Sequence, residues 1–419
     1  MNVIKGEFTQ QVGATFLTHL IGLLFSIVNA AIIARYLGPD GKGMVALVLL
    51  LPNMMGLFLS LGIGTANVFF VGSRHFEVST LTSNSATFAL VGTVIGVGIT
   101  LSLSGTGWLS SIVPGVPVWL VLCSIPLLPI GLASGYFTAI LQGLQRITAI
   151  NVVRLAQGGI LVLLTGLLVA GFPTGLLGSV TAYVVSGALG LLVLSVVLRR
   201  EGGVPLPKWD SSVARSTVSF GLKGHIGNIF QFFNYRLDLL IVNYFLGPGN
   251  VGIYSVSVGL AECLWYFPNA VGFVIFPKAA ATKPELMNIF TPRAFRITLL
   301  LTALGAIGLM VFGKPMILMI YSSSFVSAYM PMLALLPGVV FLGSGKVLTN
   351  EIAGRGYPHY NSINAGLALV VTVVLDLVLI PRYGVLGAAL ASSIAYTAIF
   401  FTAIGFYVNV SRKKHGRSS

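Results

Sequence analysis

The chain has 419 residues, of which 56% are hydrophobic and 8% are charged, and its formal net charge is +14. An ordinary soluble domain carries about a quarter charged residues, so this composition excludes a water-soluble globular protein. Uncharged runs at 8–34, 43–73, 78–145 and 155–198 are each long enough to cross a bilayer. Because these runs are continuously apolar and do not alternate, they predict membrane helices and exclude a β-barrel.

Breaks rich in charge, Gly or Pro divide the chain into about twelve predicted transmembrane helices. In chain order these spans are 11–34, 43–71, 82–104, 117–141, 151–171, 175–198, 216–245, 251–277, 295–312, 326–349, 359–380 and 385–409. The fold class predicted is therefore an all-α integral membrane protein.

The longest hydrophilic stretch, 199–215, divides the spans into six plus six. YLGPDGKGM near Leu37 and FLGPGNVGI near Leu246 share two Gly and one Pro at one constant offset, which suggests an internal duplication. A recurring Gly/Pro turn is the alternative. We predict six-helix lobes at 1–198 and 216–409 around a central cleft, a cytoplasmic linker at 199–215, and a basic cytoplasmic tail at 410–419.

The distribution of basic residues sets the expected orientation. Most Lys and Arg fall in loops that are cytoplasmic if the N-terminus is, whereas the predicted outer loops hold only Arg35, Lys42, Lys314 and Arg382. By the positive-inside rule both termini are expected in the cytoplasm, in a multi-pass protein of the cell membrane. Basic loops that face anionic lipid account for the net charge, and no nucleic-acid motif accompanies them.

Sites for catalysis or metal binding are not indicated. The connections between spans are short, the acidic residues are dispersed, and no nucleophile–base constellation is present, so a membrane-embedded glycan-assembly enzyme is the less favoured reading. The five histidines and two cysteines lack metal-ligand spacing. We predict no catalytic residue, no metal and no cofactor.

Ionisable residues inside the spans are the strongest functional signal, because placing charge in hydrocarbon costs several kcal/mol. They are Lys223, Arg236, Asp238, Glu262, Lys346 and Asp376. On the seventh span, Lys223, Gln231, Asn234 and Asp238 fall within an arc of about 80°, which predicts a polar stripe that lines a wet interior. Arg236 projects from another side of that helix, and the cations Lys223 and Arg236 are both candidates for binding an anionic substrate.

The first span repeats this pattern without full charges. Gln11, Thr15, His19, Gly22, Ser26 and Asn29 lie within about 80° of one another on one face. A substrate-lining role for His19 and Asn29 is one interpretation, and polar contact between packed helices is the alternative.

Two charged groups keep alternatives open. Lys346 is a candidate for binding an anionic substrate, or it reaches the inner interface near Glu351. Asp238, Glu262 and Asp376 are candidates for binding a coupling ion, H⁺ or Na⁺, because the energy of a partly buried carboxylate depends on its surroundings. An ion pair with Arg236 is the structural alternative.

Several segments together resemble a known transporter family. They are ARYLGPDGKG at 34–43, LSLGIGTANVFFVG at 59–72, LQGLQR at 141–146, YRLDLLIVNYFLGPGNVGIYSVS at 235–257, AGRGYP at 353–358 and LDLVLIPRYGVLGAALASSIAY at 375–396. They resemble the polysaccharide and O-unit flippases, the oligosaccharidyl-lipid flippases of the multidrug/oligosaccharidyl-lipid/polysaccharide superfamily. Arg35, Arg236, Asp238 and Asp376 occupy positions within these motifs, where they are either functional or architectural.

The resemblance implies an alternating-access flippase that moves a polyprenyl-pyrophosphate-linked oligosaccharide from the cytoplasmic to the outer leaflet, for surface polysaccharide such as lipopolysaccharide O-antigen or capsule. It further implies coupling to H⁺ or Na⁺ in some relatives, and a polysaccharide polymerase and glycosyltransferases as partners. The competing transporter reading is a cation-coupled multidrug or small-molecule exporter of the same superfamily. Lys223, Glu262 and Lys346 are singled out by the cost of burying charge alone.

Overall fold

The computed structural model describes the backbone of residues 2–172 and 174–412 and, within these ranges, every side chain except those of 2–16, 281, 284 and 412. The side chains of Gln11 and Thr15, and positions 412–419 of the predicted basic tail, lie outside the described side chains. The described backbone forms helices and contains no strand. The prediction of an all-α protein is therefore confirmed.

The α-helices follow one another with short connections. In chain order they are α1 (Asn2–Leu59), α2 (Ile63–Gly72), α3 (Val78–Gly105), α4 (Trp108–Ile112), α5 (Val118–Ser124), α6 (Leu127–Gly143), α7 (Ile147–Thr165), α8 (Gly175–Arg200), α9 (Ser211–Leu246), α10 (Pro248–Glu262), α11 (Tyr266–Ala281), α12 (Pro284–Ile320), α13 (Tyr329–Gly354), α14 (His359–Tyr383) and α15 (Val385–Arg412). A π-helical turn at Gly166–Gly171 extends α7, and 3-10 turns at Cys263–Trp265 and Ser323–Ala328 precede α11 and α13.

Ten helical segments of the described chain are long and apolar enough to span a membrane. The sequence predicted about twelve, and two helices account for the difference. α1 merges the first two predicted spans, because the chain continues through a kink at Gly38 without a loop. α9 is 36 residues long, but polar and charged residues, among them Lys223 and Asp238, interrupt its apolar character.

The second predicted span, 43–71, is broken near its end. α1 ends at Leu59 and α2 begins at Ile63, while Leu61 and Gly62 between them have positive φ angles of 49° and 70°. The backbone of α9 approaches closely here, since a Cβ on Gly62 would lie 2.3 Å from the carbonyl oxygen of Gly221. Tertiary packing at this crossing, which hydropathy does not report, explains the break.

The helices have the reversed amphipathic character expected of lipid-embedded segments. In α14 the buried face consists of Asn364, Ala368, Thr372, Asp376 and Ile380. Large apolar side chains of the same helix are exposed, among them Leu367, Val370, Val374 and Leu377. Apolar residues that point outward and polar residues that point inward indicate hydrocarbon as the surrounding solvent.

Two compact units divide the chain, residues 1–225 and 226–419, hereafter the N-terminal unit and the C-terminal unit. The division falls inside α9 and not in the hydrophilic stretch 199–215. That stretch contacts the N-terminal unit, because Ser83 Oγ donates to the carbonyl oxygen of Val204 at 3.0 Å and the Asp210 N–H donates to Asn84 Oδ1 at 3.3 Å. The predicted boundaries of the six-helix lobes stay a prediction.

The repeated LGP segments adopt the same backbone conformation. Gly38 has φ 67° and ψ −173°, and Gly247 has φ 81° and ψ 174°. This region of φ and ψ is accessible to essentially no residue but Gly. Pro39 and Pro248 follow at the start of the next helical segment, where the missing N–H of Pro costs nothing. The shared geometry at matching positions supports the predicted duplication.

Candidate functional site

The polar stripe predicted on the seventh span is divided between the two units. Lys223 lies in the N-terminal unit and is exposed, and Gln231 is exposed in the C-terminal unit. Asn234 and Asp238 are each 2% exposed. Asn234 Oδ1 accepts a hydrogen bond from Thr372 Oγ1 of α14 at 2.7 Å. The stripe is therefore not one wet face, since packing in the C-terminal unit buries its later part.

Arg236 and Glu262 form a bidentate ion pair between α9 and α10. The distances from Nη1 to Oε1 and from Nη2 to Oε2 are both 3.0 Å. The guanidinium also donates to the carbonyl oxygen of Tyr235 at 2.9 Å. Two parallel charge-assisted hydrogen bonds fix the orientation of both side chains. The alternative of a structural pair is thus what the structure shows, and both oxygens of Glu262 are engaged.

Lys346 of α13 lies at an accessible edge close to this pair. Its Nζ donates to Asn269 Oδ1 at 3.1 Å and lies 4.0 Å from the centroid of the Trp265 ring. Lys346 and Glu262 are also close enough to interact electrostatically. Glu351 is bonded to Arg355 and not to Lys346. The alternative in which Lys346 reaches the inner interface stays a prediction.

Lys346 lies against a cluster of aromatic side chains. The ring centroids of Tyr235, Trp265 and Tyr396 are 5.3 to 5.9 Å apart. Trp265 donates its indole N–H to the carbonyl oxygen of Val339 at 2.9 Å, which fixes the ring beneath the ammonium group. A cation held over the face of a Trp gains electrostatic attraction from the ring. The hydrogen-bond acceptor of Lys346 is a neutral amide. No hydrogen bond to a carboxylate therefore compensates its positive charge.

Close packing of α13 against α15 positions Ser392 next to the site. A Cβ on Gly338 of α13 would lie 2.5 Å from the Cα of Ser393 of α15, and the Gly338 N–H donates to Ser393 Oγ at 3.0 Å. Small residues allow such an approach between membrane helices. The adjacent Ser392 thereby faces Asp238, with an Oγ to Oδ2 distance of 3.4 Å.

Two buried carboxylates lie behind the ion pair. Asp238 accepts hydrogen bonds from the Tyr254 hydroxyl at 2.6 Å and from the Leu239 N–H at 2.8 Å. Asp376 is 0% exposed, and neither of its oxygens has a hydrogen-bond partner among the described residues. The two carboxylates are close enough to interact electrostatically. An ionised carboxylate buried without compensation is costly, so this position favours a bound proton or cation.

Five ionisable residues of the C-terminal unit, Lys346, Arg236, Glu262, Asp238 and Asp376, therefore form one connected group. Lys346 and Arg236 lie on the side of Glu262, and the two aspartates lie deeper. Among these residues the carboxylates outnumber the cations, which again favours a bound positive charge. Sequence reasoning identified all five residues from the cost of burial, but it did not predict which of them pair.

The candidates of the N-terminal unit lie elsewhere. Asn29 is 3% exposed and donates Nδ2 to the Tyr183 hydroxyl at 2.8 Å, which is a contact between packed helices. Arg35 is exposed near the end of the first segment of α1. His19 is exposed, and its Nε2 lies 2.8 Å from Arg154 Nη1. Arg154 lies within the predicted span 151–171 and was not among the predicted site residues.

The polysaccharide biosynthesis protein family matches residues 32–330. A probable low-salt glycan biosynthesis flippase of Haloferax volcanii is 25% identical over 286 residues, which are 67% of this chain and 55% of that protein. The chain thus spans about half the length of this relative. A putative O-antigen transporter of Shigella flexneri is 21% identical over 407 residues, which are 94% of this chain and 95% of that protein.

Two solved structures share the fold. The lipid II flippase MurJ in an inward closed conformation has a TM-score of 0.79 and 14% identity, over 96% of this chain and 90% of that chain. An inward-facing multidrug resistance MATE family transporter of the MOP superfamily has a TM-score of 0.80 and 15% identity, over 94% of this chain and 96% of that chain. The predicted membrane fold and the predicted resemblance are confirmed. Since the family match spans more than half of the chain, this protein belongs to the polysaccharide biosynthesis protein family.

Proposed function

We propose that this protein is an alternating-access flippase that moves a polyprenyl-pyrophosphate-linked oligosaccharide from the cytoplasmic to the outer leaflet for surface polysaccharide synthesis. The observation that carries the proposal is Lys346, a membrane-helix cation that is held on an indole ring and bonded to a neutral amide. A pyrophosphate needs such a cation. The family membership and the names of the two relatives support the same substrate class.

The residues around Lys346 suit the rest of a glycolipid headgroup. Asn269 accepts a hydrogen bond from Lys346, and Gln231 donates to the Tyr235 hydroxyl at 2.9 Å. Both side chains are exposed and offer amide groups to sugar hydroxyls. The Tyr235 ring lies 5.9 Å from the Lys346 Nζ. Aromatic side chains with a few placed polar groups are typical of ligand sites. Arg236 is neutralised by Glu262, so we assign it mainly to holding this surface in place and Lys346 to contact with the phosphate.

Coupling to H⁺ or Na⁺ is the second part of the proposal. Asp376, with the neighbouring Asp238, is the group we expect to bind the ion, because its oxygens lack partners among the described residues and have no exposure. Carboxylate and hydroxyl oxygens, such as those of Asp238 and Ser392, are suitable ligands for a hard cation. Glu262 is the weaker candidate, since Arg236 binds both of its oxygens.

A cation-coupled exporter of drugs or other small molecules is the competing function. The buried pair of Asp238 and Asp376 favours it, because acids within a membrane protein also suit exchange of an organic cation for an inorganic one. The cationic edge at Lys346 distinguishes the two functions, since a positive drug would be repelled there and a phosphate attracted.

Orientation and partners belong to the same proposal. We place the protein in the cell membrane with both termini cytoplasmic, where it would receive its substrate from glycosyltransferases and deliver it to a polymerase. Reporters fused at Lys208 and Gly107 should lie in the cytoplasm and outside, respectively. Reporters on one side of the membrane would contradict this topology.

A deletion strain without a second flippase tests the function. Lipid-linked glycan should accumulate on the cytoplasmic leaflet, and wild-type protein should restore its accessibility to an external lectin. Lys346→Gln should restore at most about a tenth of that signal, since a charge-assisted hydrogen bond contributes about 1.5–3 kcal/mol. Lys314→Gln is the matched control, because Lys314 is exposed and outside the site. Normal delivery in the deletion strain would contradict the proposal.

A further inference from the structure

We propose that His19 and Arg154 form a second phosphate-binding site, in the N-terminal unit, that contacts the same lipid-linked substrate. The inference rests on the proposed function and extends it. It concerns residues of α1 and α7 that lie apart in sequence and meet at one hydrogen bond, with 2.8 Å between His19 Nε2 and Arg154 Nη1.

The chemistry of this hydrogen bond determines the protonation of the histidine. A guanidinium has only donors, so His19 Nε2 must be the acceptor and its proton must be on Nδ1. The remaining groups of the pair are then all donors, namely the His19 Nδ1–H and the other N–H groups of Arg154. Such a set of donors is complementary to an oxyanion and not to a metal ion or an amine.

Arg154 also has no acidic partner among the described side chains. The ion pairs among the described side chains are those of Arg146 with Glu201, Arg236 with Glu262, and Arg355 with Glu351. A cation within a membrane helix normally pairs with an acid or marks a substrate pathway. Because no described carboxylate satisfies Arg154, its charge is available for an anionic ligand.

Both residues face away from the lipid-facing sides of their helices. In α7 the exposed apolar residues Val152 and Leu163 mark the lipid side, and Arg154 lies about 160° to 180° around the helix from each of them. In α1 the exposed Leu17, Leu24 and Val28 mark that side. His19 lies about 160° from Leu17 around that helix. An Arg that only reaches to lipid headgroups would be expected on the lipid side.

The face of α1 and α7 that carries His19 and Arg154 is accessible to a ligand. His19, Ser26 and Arg154 are all exposed although they point away from the lipid-facing residues. The N-terminal unit therefore presents a polar surface that is open to a ligand. The planar fork of Arg154 can bind two phosphate oxygens at once, which a Lys ammonium cannot do with the same geometry.

Phosphate oxygens could come from the lipid-linked pyrophosphate or from ordinary phospholipid, and binding measurements separate these sources. The full chain in nanodiscs is titrated with polyprenyl pyrophosphate, and nanodiscs with and without phosphatidylglycerol are compared. Arg154→Gln and His19→Ala should each raise the Kd for polyprenyl pyrophosphate at least about tenfold. Arg154→Lys should recover part of the affinity, since it keeps the charge and loses the fork.

Arg146→Gln is the control, because Arg146 is an exposed arginine of the same unit that is paired with Glu201. It should leave the Kd unchanged. Equal affinity of wild type and Arg154→Gln, while wild type binds, would overturn this inference alone. A loss that appears only when phosphatidylglycerol is present would overturn it in favour of a phospholipid contact. A wild-type protein that does not bind polyprenyl pyrophosphate would overturn the proposed function together with it.

Discussion

The N-terminal and C-terminal units differ in which polar side chains they bury. Among the described residues of the N-terminal unit, the buried polar side chains are hydroxyls, amides and the imidazole of His225, and its full charges, including Arg154 and Lys223, are at least partly exposed. The C-terminal unit buries Asp238, Glu351 and Asp376.

This difference suggests a division of labour. Exposed cations in the N-terminal unit can meet an anionic substrate directly without a large cost of desolvation. Buried carboxylates in the C-terminal unit instead respond to protons or small cations, because their energy depends strongly on charge.

The largest effect is expected from the buried ion pair of the C-terminal unit. Glu351 is 0% and Arg355 8% exposed in their side chains. Glu351→Ala should lower the free energy of unfolding by about 3–5 kcal/mol, since it leaves a buried charge without its partner. Glu201→Ala, which breaks the exposed pair of the N-terminal unit, should cost at most about 1 kcal/mol. Thermal unfolding in detergent checks both, and equal losses would contradict the comparison.

The next effect concerns coupling. Asp376→Asn keeps the shape of the side chain and removes its charge, so the protein should fold while the dependence of transport on an ion gradient falls by about 5- to 150-fold. Asn29→Asp in the Asp376→Asn background tests the converse, since a new carboxylate in the N-terminal unit should not restore gradient dependence. Uptake in vesicles with imposed H⁺ and Na⁺ gradients measures this. Unchanged gradient dependence in Asp376→Asn would remove this residue from coupling.

The LGP junctions at Gly38 and Gly247 are a feature that the two units share. Gly38→Ala and Gly247→Ala should each lower stability by about 1–3 kcal/mol, because Ala is strained at these φ and ψ angles. No atom lies within 4 Å of a Cβ at either position, so the loss comes from the backbone alone. Gly405→Ala, a Gly with open space and no positive φ, is the control. A large difference between Gly38→Ala and Gly247→Ala would argue against equivalent junctions.

The last comparison concerns two tyrosine hydroxyls, of which that of Tyr183 gives the smallest effect. Tyr254→Phe removes a donor to the Asp238 carboxylate and should cost about 1.5–3 kcal/mol. Tyr183→Phe removes the partner of the neutral Asn29 and should cost about 0.6 kcal/mol, as is typical between membrane helices. Unfolding experiments on both variants measure the difference. Tyr183→Phe costing as much as Tyr254→Phe would contradict the distinction between neutral and charged burial.

Much of the fold follows from one-dimensional information. Hydropathy predicted the helices, and the cost of burying charge identified Asp376 and Lys346 without knowledge of their neighbours. The breakdown of the second span at Gly62 was missed, because it depends on the approach of Gly221 from a helix far away in sequence.

The site shows the same limit. Helical periodicity placed Lys223 and Asp238 on one face of α9, but burial of that face depends on α14 and α15. The pairing of Arg236 with Glu262 joins two helices, and spacing along the chain does not give the rotation of one helix relative to the other. Arg154 lies near the start of the predicted span 151–171, and it was missed because its contact with His19 joins two helices that lie far apart in sequence.

Transport by purified protein tests the central claim most directly. Proteoliposomes that contain the wild-type chain are loaded with fluorescent polyprenyl-pyrophosphate-linked oligosaccharide. A membrane-impermeant quencher reaches only the label in the outer leaflet, so a change in the quenched fraction with time reports movement between leaflets. We predict fast exchange with wild type, slow exchange with Lys346→Gln, and exchange at the wild-type rate with Lys314→Gln. Failure of the wild type to move this lipid, together with gradient-driven movement of a cationic dye, would contradict the flippase account.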